Sequence, residues 1–429
     1  MPNSPSKYGH DFWMQQALEL AQRAAEMGEV PVGALVVRGG EIIGEGWNQS
    51  IALDDPTGHA EVLALRDAAR KFFTSELAPE QERWEANGLV DRDAWTKTGA
   101  AGFLLAEMPV EYGGAGGDYR HETVIMEEQL RSGASGLGTQ VHSQIVAPYF
   151  RHYGNEDQRQ RWLPGMAAGT KVGAIAMTEP NTGSDLQSIR TTAIRDGDEF
   201  VINGSKTYIS NGQHCDLVIV VAKTDPSQGA KGISLIVVEG ATEGFSKGRN
   251  LKKLGQAAAD TSELFFEDCR VPAENLVGEE GKGFVQLMQQ LPQERLNIAQ
   301  AAVVDMERAI TLTLEFVKER KAFGQRVLDF QNTKFKLAEC KTEALIARTF
   351  VDQCLIKHLA GELDASTASM AKYWCTDKQN QIIDTCLQLH GGAGYMDEYP
   401  ISRMYKDARV QSIYGGTNEI MKELISRTL

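Results

Sequence analysis

Ile233-Ser234-Leu235-Ile236-Val237-Val238 is a run of apolar, largely β-branched residues that directly follows Gly232. Residues 200–202 (Phe-Val-Ile) and 217–221 (Leu-Val-Ile-Val-Val) have the same character. Short runs of this kind, bounded by Gly, Asp or Pro, are typical of β-strands. All three lie between residues 172 and 272, and we therefore expect this region to fold as a β domain.

Helical patterns lie on both sides of the β region. Upstream, residues 80–170 are mostly helical in pattern, with a break at the glycine-rich segment 113–117. Downstream, the pattern predicts long helices at 283–320, 330–359 and 364–389, with a short final helix from about Asn418. Strands and helices do not alternate along the chain. This order argues against a doubly wound parallel sheet and predicts a multidomain α+β chain in an α-β-α order.

The first 66 residues have a different pattern of predicted secondary structure. Residues 11–28 predict an amphipathic helix, and two apolar runs on either side of Gly39-Gly40 predict a β-hairpin. A further helix is predicted from about Thr57 to Leu77.

Composition excludes several classes of protein. The 429-residue chain has a formal net charge of -14, and an acidic chain repels nucleic-acid phosphates. No apolar run approaches the roughly 20 residues that a membrane span requires, and residues 1–7 lack the apolar core of a secretory signal. The six cysteines form no C-x-x-C pair. We expect free thiols, a cytoplasmic location, no metal site, no membrane span and no nucleic-acid partner.

Five blocks of sequence resemble the acyl-CoA dehydrogenase family, in the family's order, from about residue 70 to the end. The blocks are Met177-Thr178-Glu179-Pro180-Asn181-Thr182-Gly183-Ser184-Asp185, Lys206-Thr207-Tyr208-Ile209-Ser210-Asn211-Gly212, Arg320-Lys321-Ala322-Phe323-Gly324, Gln388-Leu389-His390-Gly391-Gly392 and Ile413-Tyr414-Gly415-Gly416-Thr417-Asn418-Glu419. The resemblance implies an N-terminal helical domain (67–171), a middle β domain (172–280) and a C-terminal four-helix-bundle domain (281–429). The sequence of residues 291–296 most resembles that of the long-chain subgroup.

The resemblance also implies FAD as cofactor. A flavin dinucleotide carries a pyrophosphate that needs backbone N–H groups, hydroxyls or Arg, and the glycines of these blocks let backbone approach it closely. No G-x-G-x-x-G follows a strand, so a Rossmann site is not supported. By resemblance Tyr208 lies against the flavin ring and Ser210 near its N5 atom. The implied cofactor-binding residues are Met177, Thr178, Gly183, Ser184, Tyr208, Ser210, Arg320, Phe323, Gln331, Gln388, Gly391, Gly392, Gly416, Thr417 and Glu419.

The family's reaction converts an acyl-CoA thioester to the trans-2-enoyl-CoA, as in fatty-acid β-oxidation. A carboxylate removes the α-proton while the β-hydride goes to flavin N5. This carboxylate needs a pKa raised by a water-poor site. In this chain the commoner base position is Gly415, which has no side chain to act. Glu294 occupies the alternative position and is the predicted base. The resemblance assigns Ser184, Arg295 and Gly415 to substrate binding.

Several points stay open at this level. The resemblance implies an electron-transfer flavoprotein as electron acceptor and a homotetramer built as a dimer of dimers. An acyl-CoA oxidase on the same fold remains an alternative, as does an inactive fusion. Acyl chain length is not determined by residue spacing.

Residues 10–66 resemble the start of bacterial tRNA adenosine deaminases, a partial α/β fragment of the cytidine-deaminase type. The matching residues are residues 29–34 and His59-Ala60-Glu61. In that family the histidine binds zinc and the glutamate moves protons. Catalytic zinc needs about three protein ligands, and no P-C-x-x-C follows here. A residual zinc-dependent deaminase is therefore disfavoured, and the two resemblances are expected to join within the helix predicted at 57–77.

Overall fold

The computed structural model describes residues 8–53 and 58–429. Twelve α-helices lie in these two ranges: α1 (His10–Glu26), α2 (Ala60–Phe72), α3 (Gln81–Asn87), α4 (Arg92–Ala100), α5 (Tyr119–Ser132), α6 (Ala147–Tyr153), α7 (Glu156–Ala167), α8 (Gly283–Glu319), α9 (Gln331–Leu359), α10 (Ala365–His390), α11 (Pro400–Ala408) and α12 (Asn418–Ser426). The strands are β1 (Gly33–Arg38), β2 (Glu41–Trp47), β3 (Gly173–Ala176), β4 (Thr192–Asp196), β5 (Glu199–Ser210), β6 (Leu217–Lys223), β7 (Ile233–Glu239), β8 (Phe245–Asn250), β9 (Thr261–Pro272), β10 (Lys321–Ala322) and β11 (Gln325–Arg326).

The front of the chain is one helix packed on a β-hairpin. Strands β1 and β2 are antiparallel, and both turn glycines, Gly39 and Gly40, have positive φ. This matches the predicted helix and hairpin. Helix α1 approaches β1 closely, since a Cβ added at Gly33 would lie 2.1 Å from the Ala17 carbonyl oxygen. Thr57, the predicted start of the next helix, lies outside the described residues.

Helix α2 leads into the rest of the molecule without a break. It begins at Ala60 and continues into a π-helical turn, Phe73–Leu77. Ala69 and Phe73 are fully buried in a core shared with Trp84 and Trp95. The helix therefore supplies a wall of the helical region that precedes the sheet.

The middle region is a seven-stranded sheet in the order β3-β6-β4-β5-β9-β8, with β7 on β6. Strand β3 is parallel to β6, whereas β5, β7, β8 and β9 pair in antiparallel fashion. Residues 217–222 of β6 are completely buried, which explains their unbroken apolar run. The α-β-α order predicted from the sequence is confirmed.

The C-terminal region is a helical bundle around α8, which is 37 residues long. Helices α9 and α10 pack on α8 through a core that includes Leu296, Ala347 and Ile383. Pro292 lies within α8, which continues through it. The sequence pattern missed the short helix α11. All six cysteines are buried and free.

Candidate active site

Glu294 lies on the buried side of α8, and only 6% of the residue is exposed. The Tyr149 hydroxyl on α6 donates a 2.9 Å hydrogen bond to Glu294 Oε1. Burial raises the pKa of the Glu294 carboxyl to about 7, although the Tyr149 hydrogen bond and the charge of Arg295 act in the opposite direction. A carboxyl with this pKa is partly ionised near neutral pH and can accept a proton.

Arg295 is also buried, so it is not a surface charge. Its Nη1 lies 3.3 Å from Ser369 Oγ on α10, and its Nε has no hydrogen-bond partner. Burial lowers the pKa of the guanidinium, and the neighbouring Glu294 raises it. A cation with an unused donor in this water-poor site is suited to hold an oxygen of a ligand.

The glycine loop before α12 lies against the same part of α8. Gly415 has φ +66°, and a Cβ added there would lie 2.4 Å from Ile298 Cδ1. A Cβ added at Gly416 would lie 2.7 Å from Met421 Cε. The loop therefore needs glycine for both its conformation and its close approach.

A buried lysine holds this loop in place. Lys372 Nζ on α10 donates to the Gly416 carbonyl oxygen at 2.8 Å and to Asn418 Oδ1 at 2.9 Å. Burial, followed by the charge of Arg295, lowers the pKa of Lys372 to about 7. Sequence reasoning missed Lys372, because nothing in its own helix indicates that it reaches the loop.

A second buried lysine joins the first two sequence blocks. Lys206 Nζ on β5 lies 2.9 Å from Glu179 Oε1 and 3.1 Å from the Met177 carbonyl oxygen. The Thr207 amide also donates to the Thr178 carbonyl oxygen at 2.9 Å. Met177 and Thr178, which follow β3, are thereby held beside the C-terminal part of β5 that carries Tyr208 and Ser210. Gly183 and Ser184 lie in the exposed turn that follows.

Large aromatic side chains are exposed at the predicted cofactor positions. Tyr208 is 68% exposed with φ +59°, and Phe323 is 96% exposed with φ +52°. Positive φ is unusual for aromatic residues and is common at ligand sites. Around Gly391 and Gly392 an added Cβ would meet nothing within 4 Å. These residues fit FAD, whose ring needs an apolar surface and whose pyrophosphate needs accessible backbone.

A cavity of about 700 Å³ opens beside the Gly415–Gly416 loop. Thr417 and Glu419 line it, together with the cationic side chains of Lys406, Arg409 and Lys422. Glu294 does not line this cavity. Asp377 and Asp384 also line it, so with Glu419 its acidic side chains equal its cationic ones in number.

One chain does not bring all the predicted cofactor residues together. Arg320 follows α8 at its far end, 26 residues after Glu294, which at 1.5 Å per residue is about 39 Å. The block 388–392 lies at that same end, because the rings of Phe316 and His390 stack with centroids 4.4 Å apart. One group of predicted cofactor residues therefore lies far from Glu294. Its members are Arg320, Phe323, Gln331, Gln388, Gly391 and Gly392.

The chain is closely similar to characterised proteins over most of its length. It is 52% identical to the long-chain specific acyl-CoA dehydrogenase, mitochondrial, of Sus scrofa over 367 residues, which is 85% of this chain and 85% of that protein. The chain belongs to the acyl-CoA dehydrogenase family. Its N-terminal, middle and C-terminal domain families match residues 59–170, 174–269 and 281–429.

Other acyl-CoA dehydrogenases show the same relationship. The Bacillus subtilis acyl-CoA dehydrogenase is 38% identical over 86% of this chain and 98% of its own length. The crystal structure of the Geobacillus kaustophilus acyl-CoA dehydrogenase superposes with a TM-score of 0.85, at 48% identity, covering 87% of this chain and 99% of that one. Members of this family are FAD flavoproteins, so the predicted cofactor is supported.

The front of this acyl-CoA dehydrogenase matches a second family. Residues 7–81 match the cytidine and deoxycytidylate deaminase zinc-binding region, as the resemblance of residues 10–66 implied. His59 is exposed and precedes α2. Within residues 8–53 and 58–429, no cluster of three or more His, Cys, Asp or Glu side chains could hold a metal ion. No helix in those ranges is long and apolar enough to cross a bilayer.

Proposed function

We propose that this chain dehydrogenates long-chain acyl-CoA thioesters to trans-2-enoyl-CoA and that Glu294 is the catalytic base. The observation that carries the proposal is the buried Glu294 carboxyl, whose pKa of about 7 suits proton abstraction. Gly415 at the commoner base position supports it, since that position has no side chain. The name of the pig relative supports the long-chain preference.

In this mechanism the substrate lies with its α-carbon facing Glu294. The carboxylate takes the α-proton, and the bond to that hydrogen breaks as the O–H bond forms. FAD, when bound, supplies an N5 atom that accepts the hydride from the β-carbon. The backbone N–H of Gly415 donates to the thioester oxygen as negative charge develops there. Ser184 and Arg295 complete the substrate site, and burial excludes water from the base.

We assign the cofactor to two subunits. Met177, Thr178, Gly183, Ser184, Tyr208 and Ser210 would hold the flavin ring end, and Gly416, Thr417 and Glu419 would lie beside its phosphates. The remote group of Arg320, Phe323, Gln331, Gln388, Gly391 and Gly392 would serve a flavin bound mainly by a second copy. The distance of about 39 Å along α8 favours this division. It supports at least a dimer, and by resemblance to the family we propose a homotetramer built as a dimer of dimers.

The remaining assignments rest on the family resemblance and on the sequence. We propose an electron-transfer flavoprotein as the acceptor, a cytoplasmic location, and domains at 1–66, 67–171, 172–280 and 281–429. The pig and mouse relatives carry the word mitochondrial in their names, and fractionation of cells that express this chain tests the proposed location.

The test is an acyl-CoA chain-length series with a dye acceptor, run on the flavin-loaded protein and on Glu294→Gln. The variant should keep its visible flavin absorbance and lose about 100- to 10,000-fold in turnover, since general-base catalysis contributes about 10²–10⁴-fold. Glu315→Gln, an exposed carboxylate on the same helix, is the matched control and should retain full activity. Normal turnover by Glu294→Gln would overturn the base assignment.

A further inference from the structure

We propose that Tyr149 is the positioning residue for the base: its hydroxyl occupies Glu294 Oε1, so that Oε2 faces the substrate and takes the α-proton. The inference rests on the proposed function of Glu294. Tyr149 lies outside all five sequence blocks, and it sets both the direction in which the base points and the proton affinity of the base.

The geometry of the pair is specific. Tyr149 is fully buried, and its 2.9 Å hydrogen bond to Oε1 is the one hydrogen bond that reaches the Glu294 carboxyl from the described residues. Burial, together with the adjacent carboxylate, raises the pKa of Tyr149 well above its ordinary value. The phenol therefore stays protonated and acts as a donor throughout the working pH range.

The backbone that carries Tyr149 is fastened to α8 on both sides of Glu294. Gln293 Nε2 donates to the Gln144 carbonyl oxygen at 3.0 Å, and Asn297 Nδ2 donates to Gln144 Oε1. Gln144 belongs to the π-helical turn Gln140–Val146, which runs directly into α6. This attachment fixes the phenol relative to the carboxyl, which a donor on a mobile loop could not achieve.

The other titratable and charged groups around the base do not replace Tyr149. Arg295 lies next to Glu294 on α8 but directs Nη1 to Ser369. Lys372 on α10 bonds the Gly416 loop. On α6, His152 and Tyr153 bond Gln290, and Tyr153 also donates to Gln289 at 2.9 Å. Tyr149 is thus the neutral donor in direct contact with the carboxyl.

The proton balance assigns a role to each oxygen. During abstraction the α-carbon–hydrogen bond breaks and a bond forms between that hydrogen and Oε2, while Tyr149 keeps its own proton. The hydrogen bond stabilises the ionised carboxylate more than the neutral acid, and so opposes the rise in pKa that burial causes. Without it, a smaller fraction of the enzyme would hold an ionised base at neutral pH.

The test is the pH profile of kcat/KM for Tyr149→Phe in the flavin-loaded full-length protein. Loss of one hydrogen bond to the carboxylate should move the acidic limb upward by about one pH unit. Activity should fall about tenfold below the limb and approach that of the wild type above it. Tyr153→Phe, which removes a neighbouring phenol that does not touch Glu294, is the matched control and should leave the limb in place.

A uniform loss of activity at every pH, with an unmoved limb, would show a packing role only and would overturn the proposal. If Tyr149→Phe does not fold, 3-fluorotyrosine at position 149 preserves the shape and donates more strongly, and it should move the limb downward; an unmoved limb would again overturn the proposal. Failure of the proposed function gives a different result. If Glu294→Gln keeps normal turnover, Glu294 is not the base, whatever the pH profile of Tyr149→Phe shows.

Discussion

Arg66 Nη1 lies 3.0 Å from Glu128 Oε1, and Arg66 belongs to the stretch 59–81 that both the deaminase region and the dehydrogenase N-terminal domain match. The same nitrogen is 2.8 Å from Glu127 Oε2, and both carboxylate side chains are 2% exposed or less. Buried carboxylates are costly unless cations neutralise them. Helix α2 supplies such a cation, so this stretch shared by the two matches helps to stabilise the helical region that precedes the sheet.

The first prediction concerns that ion pair. Arg66→Met should destabilise the protein by about 1–3 kcal/mol, less than the 3–5 kcal/mol typical of a broken buried pair, because Arg70, Arg131 and Arg348 still contact the two carboxylates. Thermal unfolding measures the change. Lys71→Met removes an exposed pair with Asp67 on the same helix and should have almost no effect. Equal unfolding temperatures for the two variants would contradict the prediction.

A second prediction concerns the Lys206–Glu179 pair beneath the proposed flavin ring site. Lys206→Met leaves Glu179 with only the backbone donors of Arg190 and Thr191. The uncompensated charge should displace the loop at 177–185, and flavin affinity should fall by about tenfold or more. Titration of flavin fluorescence with the apoprotein measures the dissociation constant.

The control for Lys206→Met is the double variant Lys206→Met with Glu179→Leu. Replacing both members of a buried pair by apolar residues of similar size is often close to neutral. The double variant should therefore bind flavin better than the single one. Flavin binding that is unchanged in the single variant would show that the pair does not hold the loop.

The sequence predicted the elements better than the contacts between them. The runs at 217–221 and 233–238 are buried on both sides, so their composition alone indicates strands. Helices such as α8 are long enough for their period to be recognised. The π-helical turn Gln140–Val146 and the nine-residue α11 carry no comparable signal.

For the candidate site, the sequence identified blocks but not the groups that tune them. Tyr149 and Glu294 are 145 residues apart, and Lys206 and Glu179 are 27 apart. Pairs of this kind depend on how α6 meets α8 and how the loop meets β5. These are tertiary relationships, and no local pattern predicts them. The resemblance indicated Glu294 as a candidate, while its burial and hydrogen bond came from the fold.

A third prediction concerns the fit of Gly415 against α8. Gly415→Ala introduces a Cβ at φ +66° that would lie 2.4 Å from Ile298 Cδ1. We expect a loss of turnover of about tenfold, because strain of about 1–3 kcal/mol must shift the loop or the helix. Adding Ile298→Val removes the contacting methyl group and should recover part of the activity. No recovery in the double variant, measured as kcat with the dye acceptor, would contradict the steric explanation.

The fourth prediction concerns stability against pH. Burial, followed by the charge of Glu107, raises the pKa of Glu122 on α5 to about 8. The folded protein therefore binds more protons than the unfolded chain between about pH 4.5 and 8, and the Glu122 contribution to stability falls as pH rises through this range. The slope is at most about 1.4 kcal/mol per pH unit for one group. Glu122→Gln cannot titrate, so its unfolding temperature relative to the wild type should rise between pH 5.5 and 8.5. Glu319→Gln, at an exposed position, should show no such trend. A constant difference between Glu122→Gln and the wild type across this range would mean that Glu122 is already ionised in the folded protein at pH 5.5.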